Sequence, residues 1–145
     1  MTMGSWDKNL PSASRFTILP EFNDEAVRDN NTGLVWERFP ETHDMDLKSA
    51  AAYCANKTVG GTVGWRLPSL IELKSVQDPS LSAPFVPSTI FTVQSQSYWT
   101  ATVFSIPVQA VWVVNFANSN VETTTNVYMP YFAWCVRGPM QECFY

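Results

Sequence analysis

Charge is what this 145-residue chain has least of. Asp, Glu, Lys and Arg make up 15% of it, against about a quarter in an ordinary soluble domain. The shortage is sharpest near the end, where Glu122 is the one charged side chain between Trp99 and Arg137. With a net charge of −4, a nucleic-acid backbone is excluded as the main partner, because phosphate recognition draws on clustered Lys and Arg. The same balance argues against a highly sulfated polysaccharide. No apolar run approaches the ~20 residues of a membrane span, so no membrane insertion is expected. Residues 1–6 show no basic-then-apolar signal pattern. They fit a mature start behind an expression leader or a native start, and the compartment stays open.

Cysteine and histidine are also scarce. Cys54, Cys135 and Cys143 lie far apart with no Cys-x-x-Cys, which excludes a zinc site of the usual spacing. On residue chemistry alone, Cys54 and Cys135 are either a disulfide or two small buried thiols. Cys143 falls in the tail and reads as a free thiol. His43 is the single histidine; it sits in a polar loop with no Ser or Cys nucleophile beside it and reads as a surface residue.

What is present is apolar. The hydrophobic fraction is 46% and the aromatic fraction 14%, enough for one globular domain with a sizeable core. Residues 1–14 read as a lead-in, 15–138 as the domain and 139–145 as a tail. Residues 15–19 alternate like a strand and stop at Pro20. The turn signal Asn30-Asn-Thr-Gly33 joins 26–29 to 34–38 as a hairpin. Leu47, Ala50, Ala51 and Cys54 form one stripe of a helix over 46–56, capped by Asp44 or Asp46. Ser69-Leu-Ile-Glu72 is a capping box opening a second helix, with Leu70, Leu73 and Val76 inward and Asp78-Pro79 as its stop. Residues 79–97 are rich in Pro and Ser and read as an irregular loop. Strands are expected over 98–103, 111–116, 121–125 and 132–137. Strands, two helices, a long loop and strands again make the class α+β.

Alternation splits the last third into two sets. Trp99, Trp112, Val114, Phe116, Trp134 and Val136 are expected inward. The outward, ligand-binding set is Phe104, Ile106, Val108, Gln109, Val113, Asn118, Asn120, Glu122, Thr124, Asn126, Tyr128, Met129, Tyr131 and Phe132. Such uncharged, partly aromatic surface contacts a partner at low desolvation cost, and Tyr128, Tyr131 and Phe132 are the expected anchors. The remaining tryptophans read as core rather than as an aromatic cage. Arg66 and Arg137 flank that core and need carboxylate partners, Glu37 or Glu72.

Five motifs stand in order: Thr32-Gly-Leu-Val-Trp-Glu37, Gly64-Trp-Arg-Leu-Pro-Ser69, Tyr98-Trp-Thr-Ala-Thr102, Val111-Trp-Val-Val-Asn-Phe116 and Trp134-Cys-Val-Arg-Gly138. Together they resemble the C-terminal domain family of collagen-like bacterial adhesins. The resemblance implies a C-type-lectin-like fold, two helices packed on a small twisted antiparallel sheet. It also implies a disulfide between Cys54 on the first helix and Cys135 on the last strand. A narrower resemblance is to the variable proteins of diversity-generating retroelements, with framework motifs alternating with interchangeable positions across 98–138. The implied function is a non-catalytic module, without cofactor, that binds a protein or glycan ligand. An adhesin domain is the second reading and a formylglycine-generating-type oxidase the third. The oxidase needs a reactive cysteine pair, and Cys143 lies outside the core. Calcium-dependent sugar binding needs convergent oxygen ligands; the strand region offers only Glu122, and the lectin Glu-Pro-Asn and Trp-Asn-Asp motifs are missing, so no metal is expected. Display on a cell surface or virion, or secretion, fits best, and a homo-oligomer is compatible with it.

Overall fold

The computed structural model describes residues 12–105 and 109–139. Ile106 and Val108 of the ligand-binding set lie outside the described residues. A single helical turn, Ser12–Arg15, leads into β1 (Phe16–Ile18), β2 (Ala26–Asp29) and β3 (Val35–Glu37). Helices α1 (Leu47–Ala55) and α2 (Leu70–Ser75) follow, then β4 (Ser97–Phe104), β5 (Ala110–Asn115), β6 (Val121–Thr124) and β7 (Val136–Arg137). The class is α+β, as expected. The strands divide between two antiparallel sheets, one ordered β1-β2-β3-β7 and the other β4-β5-β6.

Local chemistry sets the elements. The Thr32 and Gly33 amides donate to the Asp29 carbonyl at 3.2 and 2.7 Å, and Gly33 takes the positive φ that this turn requires (79°). Asp46 caps α1 by accepting from the Ser49 amide at 2.8 Å. The capping box of α2 is complete: Ser69 Oγ accepts from the Glu72 amide at 3.3 Å and Glu72 Oε1 accepts from the Ser69 amide at 2.8 Å. On α1, Ala50 and Cys54 are buried while Ala51 is exposed. The short helix turns only a narrow stripe inward, and Ala51 borders an open apolar groove with Trp65 and Val103. After α1, Gly60 is obligatory, because a Cβ there would collide with the Phe22 carbonyl.

The expected strand over 132–137 is a connector between the two sheets. Phe132 bridges in parallel to Tyr98 of β4, whereas Val136 and Arg137 pair antiparallel with Trp36 and Val35 of β3. Between them Ala133, Trp134 and Cys135 are fully buried. Part of their polar demand is met away from any ladder: Trp134 Nε1 donates to the Glu37 carbonyl at 2.8 Å and the Cys135 amide to Glu37 Oε1 at 2.7 Å. Cys54 and Cys135 form the disulfide the resemblance implied, with Cα atoms 5.4 Å apart.

Two apolar clusters lie on opposite faces of the β4-β5-β6 sheet. The first holds Trp36, Leu73, Tyr98, Val114, Phe116 and Trp134; the second holds Cys54, Trp65, Trp99, Val111, Val113 and Cys135. Neither face of β5 is therefore free along its whole length. Trp112, expected inward, is only partly buried and packs against Phe104, ring centroids 5.5 Å apart. Arg66 pairs with Glu72 through two contacts, 2.8 and 2.9 Å. Glu37 instead serves Lys57, and Arg137 donates to the Val63 carbonyl at 2.9 Å.

Candidate functional site: a low-charge face around β6

The β5–β6 turn is held by its own side chains. Asn115 Oδ1 accepts from the Ala117 amide at 2.8 Å and Asn118 Oδ1 from the Asn120 amide at 2.9 Å, the local bonding that makes Asn a turn former. Lys74 of α2 donates to Ser119 Oγ and to its carbonyl at 2.9 and 2.8 Å, which pins the loop to the core. Past β6 the pattern recurs. Asn126 Oδ1 accepts from the Tyr128 amide at 3.0 Å, and the Val127 carbonyl accepts from the Leu47 amide at the start of α1 at 3.0 Å. Two pinned turns thus flank an exposed strand.

The surface so held carries little charge. Gln109, Asn118, Asn120, Glu122, Asn126 and Tyr128 are exposed, as expected, and Phe104 and Thr124 are half-buried. Tyr128 stands out at 79% exposure. Val121, at the start of β6, and Val127 are also exposed, and alternation had not singled them out.

Four expected ligand residues belong partly or wholly to the core. Val113 is 1% exposed, inside the second cluster. Met129 and Tyr131 pack against that cluster, Tyr131 with its ring 4.9 Å from Trp99 and its carbonyl accepting from the Met45 amide at 2.8 Å. Phe132 packs against the first cluster, 5.6 Å from Tyr98. For Val113 the reason is that alternation assigns two faces and here both faces of β5 are covered; Met129, Tyr131 and Phe132 lie outside the strands, where the chain packs back onto the two clusters. Of the three expected anchors only Tyr128 is exposed; Tyr131 and Phe132 are half-buried. Tyr128→Ala should therefore shift unfolding by no more than about 0.5 kcal/mol, while Phe132→Ala should cost roughly 2–4 kcal/mol. Urea denaturation of the two variants checks this, and equal losses would put Tyr128 in the core.

A second cluster of polar groups sits beside the disulfide. Glu37 Oε2 is 2.6 Å from Lys57 Nζ and accepts from Tyr53 Oη at 3.3 Å. Burial pushes the Glu37 carboxyl above its ordinary value, against the opposing pull of Lys57 and the Cys135 amide. Both carboxylate oxygens are engaged, one of them in placing Cys135 opposite Cys54, so the group acts as a clamp. His43 is exposed, its Nδ1 2.8 Å from Glu41 Oε1. Among the described residues no three His, Cys, Asp or Glu side chains converge as metal ligands.

The sequence profile of the Lcl C-terminal domain family matches residues 25–137. The chain belongs to this family. It is the collagen-like-adhesin C-terminal family that the five motifs resemble. No curated protein and no solved structure matches the chain. Within this Lcl C-terminal domain the matched span covers the disulfide, the capping box, the whole β4-β5-β6 sheet and Tyr128; β1 lies before it.

Proposed function

We propose that this Lcl C-terminal domain is a non-catalytic binding module, and that the face around β6 and Tyr128 takes up a protein or glycan ligand. One observation carries the reading: a mostly exposed, nearly uncharged strand is held between two pinned turns at the edge of the β4-β5-β6 sheet. Such a surface is preorganised, so binding orders little that is not already ordered. The disulfide supports the non-catalytic reading over the oxidase one, because it ties Cys54 and Cys135 together in the core. It also supports exposure to an oxidising compartment, as on a cell surface, a virion or a secreted protein. Two helices, two small antiparallel sheets and a disulfide from α1 to the residue just before the last strand support a C-type-lectin-like scaffold.

The finer version is a retroelement-diversified variable protein. In support, the framework residues Trp99, Val114, Phe116, Trp134 and Val136 are buried, while Asn120, Glu122 and Tyr128 are exposed and Asn118 and Asn126 are exposed but hold their turns. Diversification would be tolerated at Asn120, Glu122 and Tyr128 and harmful at Val113, Tyr131 and Phe132. The decisive observation is genomic: a near-copy of the segment encoding 98–138, differing at adenines, beside a reverse-transcriptase gene. Its absence from a complete genome would leave the adhesin reading, which family membership supports. Binding itself is tested by challenging the domain with glycan and surface-protein arrays. Tyr128→Ala should cut any specific signal at least tenfold, and signals indifferent to it would place the ligand elsewhere.

A further inference from the structure

Strand β6 ends its sheet, and among the described residues no strand pairs with its far side. Which backbone groups that side presents follows from the ladder. The Asn115 amide donates to the Asn120 carbonyl at 2.9 Å, so Asn120 faces β5. In an antiparallel pair facing alternates residue by residue, so Glu122, opposite Val113, also faces β5. The opposite phase agrees: the Trp112 carbonyl accepts from Thr100 Oγ1 on the β4 side at 2.7 Å, and Trp112 is the partner of Thr123. Val121 and Thr123 therefore turn their N–H and C=O groups outward.

Natural edges are guarded by being short, by charged side chains, by Pro, by a bulge or by a covering segment. β6 reads Val-Glu-Thr-Thr and pairs in unbroken register with β5; it is short, has no Pro and no bulge, and its one guard of charge is Glu122, which repels an acidic strand and admits a basic one. Its residues 121–123 are exposed. From this edge, and resting on the binding function proposed above, we infer that the partner is a protein, and that an extended segment of it adds to β6 as a further strand, with Lys or Arg opposite Glu122. Alternating donors and acceptors along one line are the complement of a peptide backbone, which supplies affinity while side chains supply choice.

Charge selects the occupant. Glu122 is the single charge of the strand. A second copy of this chain, paired antiparallel through both outward residues, would set Val121 against Thr123 and Glu122 against the partner's own Glu122. Like charges directly opposed across a ladder are destabilising, and opposite ones are favourable. A basic residue at that place, flanked by uncharged β-formers, converts the repulsion into attraction.

The test uses the whole chain and two acetylated, amidated heptapeptides, Thr-Val-Thr-Lys-Thr-Val-Thr and its counterpart with Glu at the centre. Amide hydrogen exchange is followed by NMR at millimolar peptide. The Lys peptide should slow exchange at Val121 and Thr123 at least tenfold, leave the Glu122 and Thr124 amides nearly unchanged, and bind roughly 3–10-fold tighter than the Glu peptide. Glu122→Lys should reverse that order. Thr123→Pro removes an N–H that β5 does not use, so it should abolish peptide binding with little change in melting. No slowing at Val121 and Thr123, or an order unmoved by Glu122→Lys, overturns the inference. Protection of those amides that grows with protein concentration alone would give the edge to a second copy and also overturns it. An array signal lost with Tyr128→Ala but intact with Thr123→Pro would sink strand addition and leave the ligand-binding reading standing.

Discussion

Replacing both Cys54 and Cys135 by Ala should lower stability by roughly 4–5 kcal/mol, the chain-entropy cost of releasing a loop of this size. The bridge spans 81 residues of sequence, so the reduced unfolded chain gains a large number of states. At the few degrees per kcal/mol usual for a domain of this length, the melting temperature should fall by roughly 10–25 °C. Differential scanning calorimetry of the double variant, with Cys143 left in place, measures it. The site matters as well as the loop length. The bridge joins α1 to the buried run 133–135, which otherwise depends on Glu37 for the Trp134 and Cys135 hydrogen bonds. A loss under about 2 kcal/mol would mean that the Glu37 clamp alone holds the connector, and that the unfolded chain is already compact around it.

How much of this was legible in the sequence depended on range. The hairpin around Asn30-Asn-Thr-Gly33 and the Ser69–Glu72 box are signalled within four residues and both are formed, and of the two caps offered for α1 it is Asp46 that serves. The division into two sheets was not legible, because it rests on β7 choosing β3, a partner about a hundred residues upstream, over its nearer neighbours. The exposed low-charge face was half legible. Asn118, Asn120, Asn126 and Tyr128 sit in turns whose side chains bond their own backbone, and turn chemistry reads locally. Val113 was inverted because alternation supplies two faces without saying that either meets water. A signal was available: residues 110–114 are continuously apolar, Ala-Val-Trp-Val-Val, the pattern of a strand covered on both sides rather than one. Tyr131 and Phe132 lie where the chain crosses between sheets, and a crossing has no period to read.

Glu72→Ala should cost roughly 3–5 kcal/mol, second only to the disulfide, because one side chain closes three contacts at once. Its carboxylate is fully buried; Oε1 accepts from the Ser69 amide and from Arg66 Nη1, both at 2.8 Å, and Oε2 from Arg66 Nη2 at 2.9 Å. Truncation removes the helix cap, about 1 kcal/mol, and leaves a guanidinium without its counter-charge. The Arg66 side chain is 23% exposed, so water reaches part of it and the lower half of the range is expected. Glu72→Gln separates the two contributions. The amide oxygen can still accept from Ser69 while the charge is gone, so the variant should lose only about half as much. Equal losses for Ala and Gln would assign the whole effect to charge, and a silent Gln would assign it to the cap. The damage should also be directional. The Arg66 backbone exchanges two 2.9 Å hydrogen bonds with Val136, and its guanidinium donates to the Gly138 carbonyl at 3.1 and 2.9 Å. Once Arg66 is loosened, amide exchange at Val136 should accelerate ahead of that at Val113 and Val114, because the carboxylate that caps α2 also fixes where β7 meets the core.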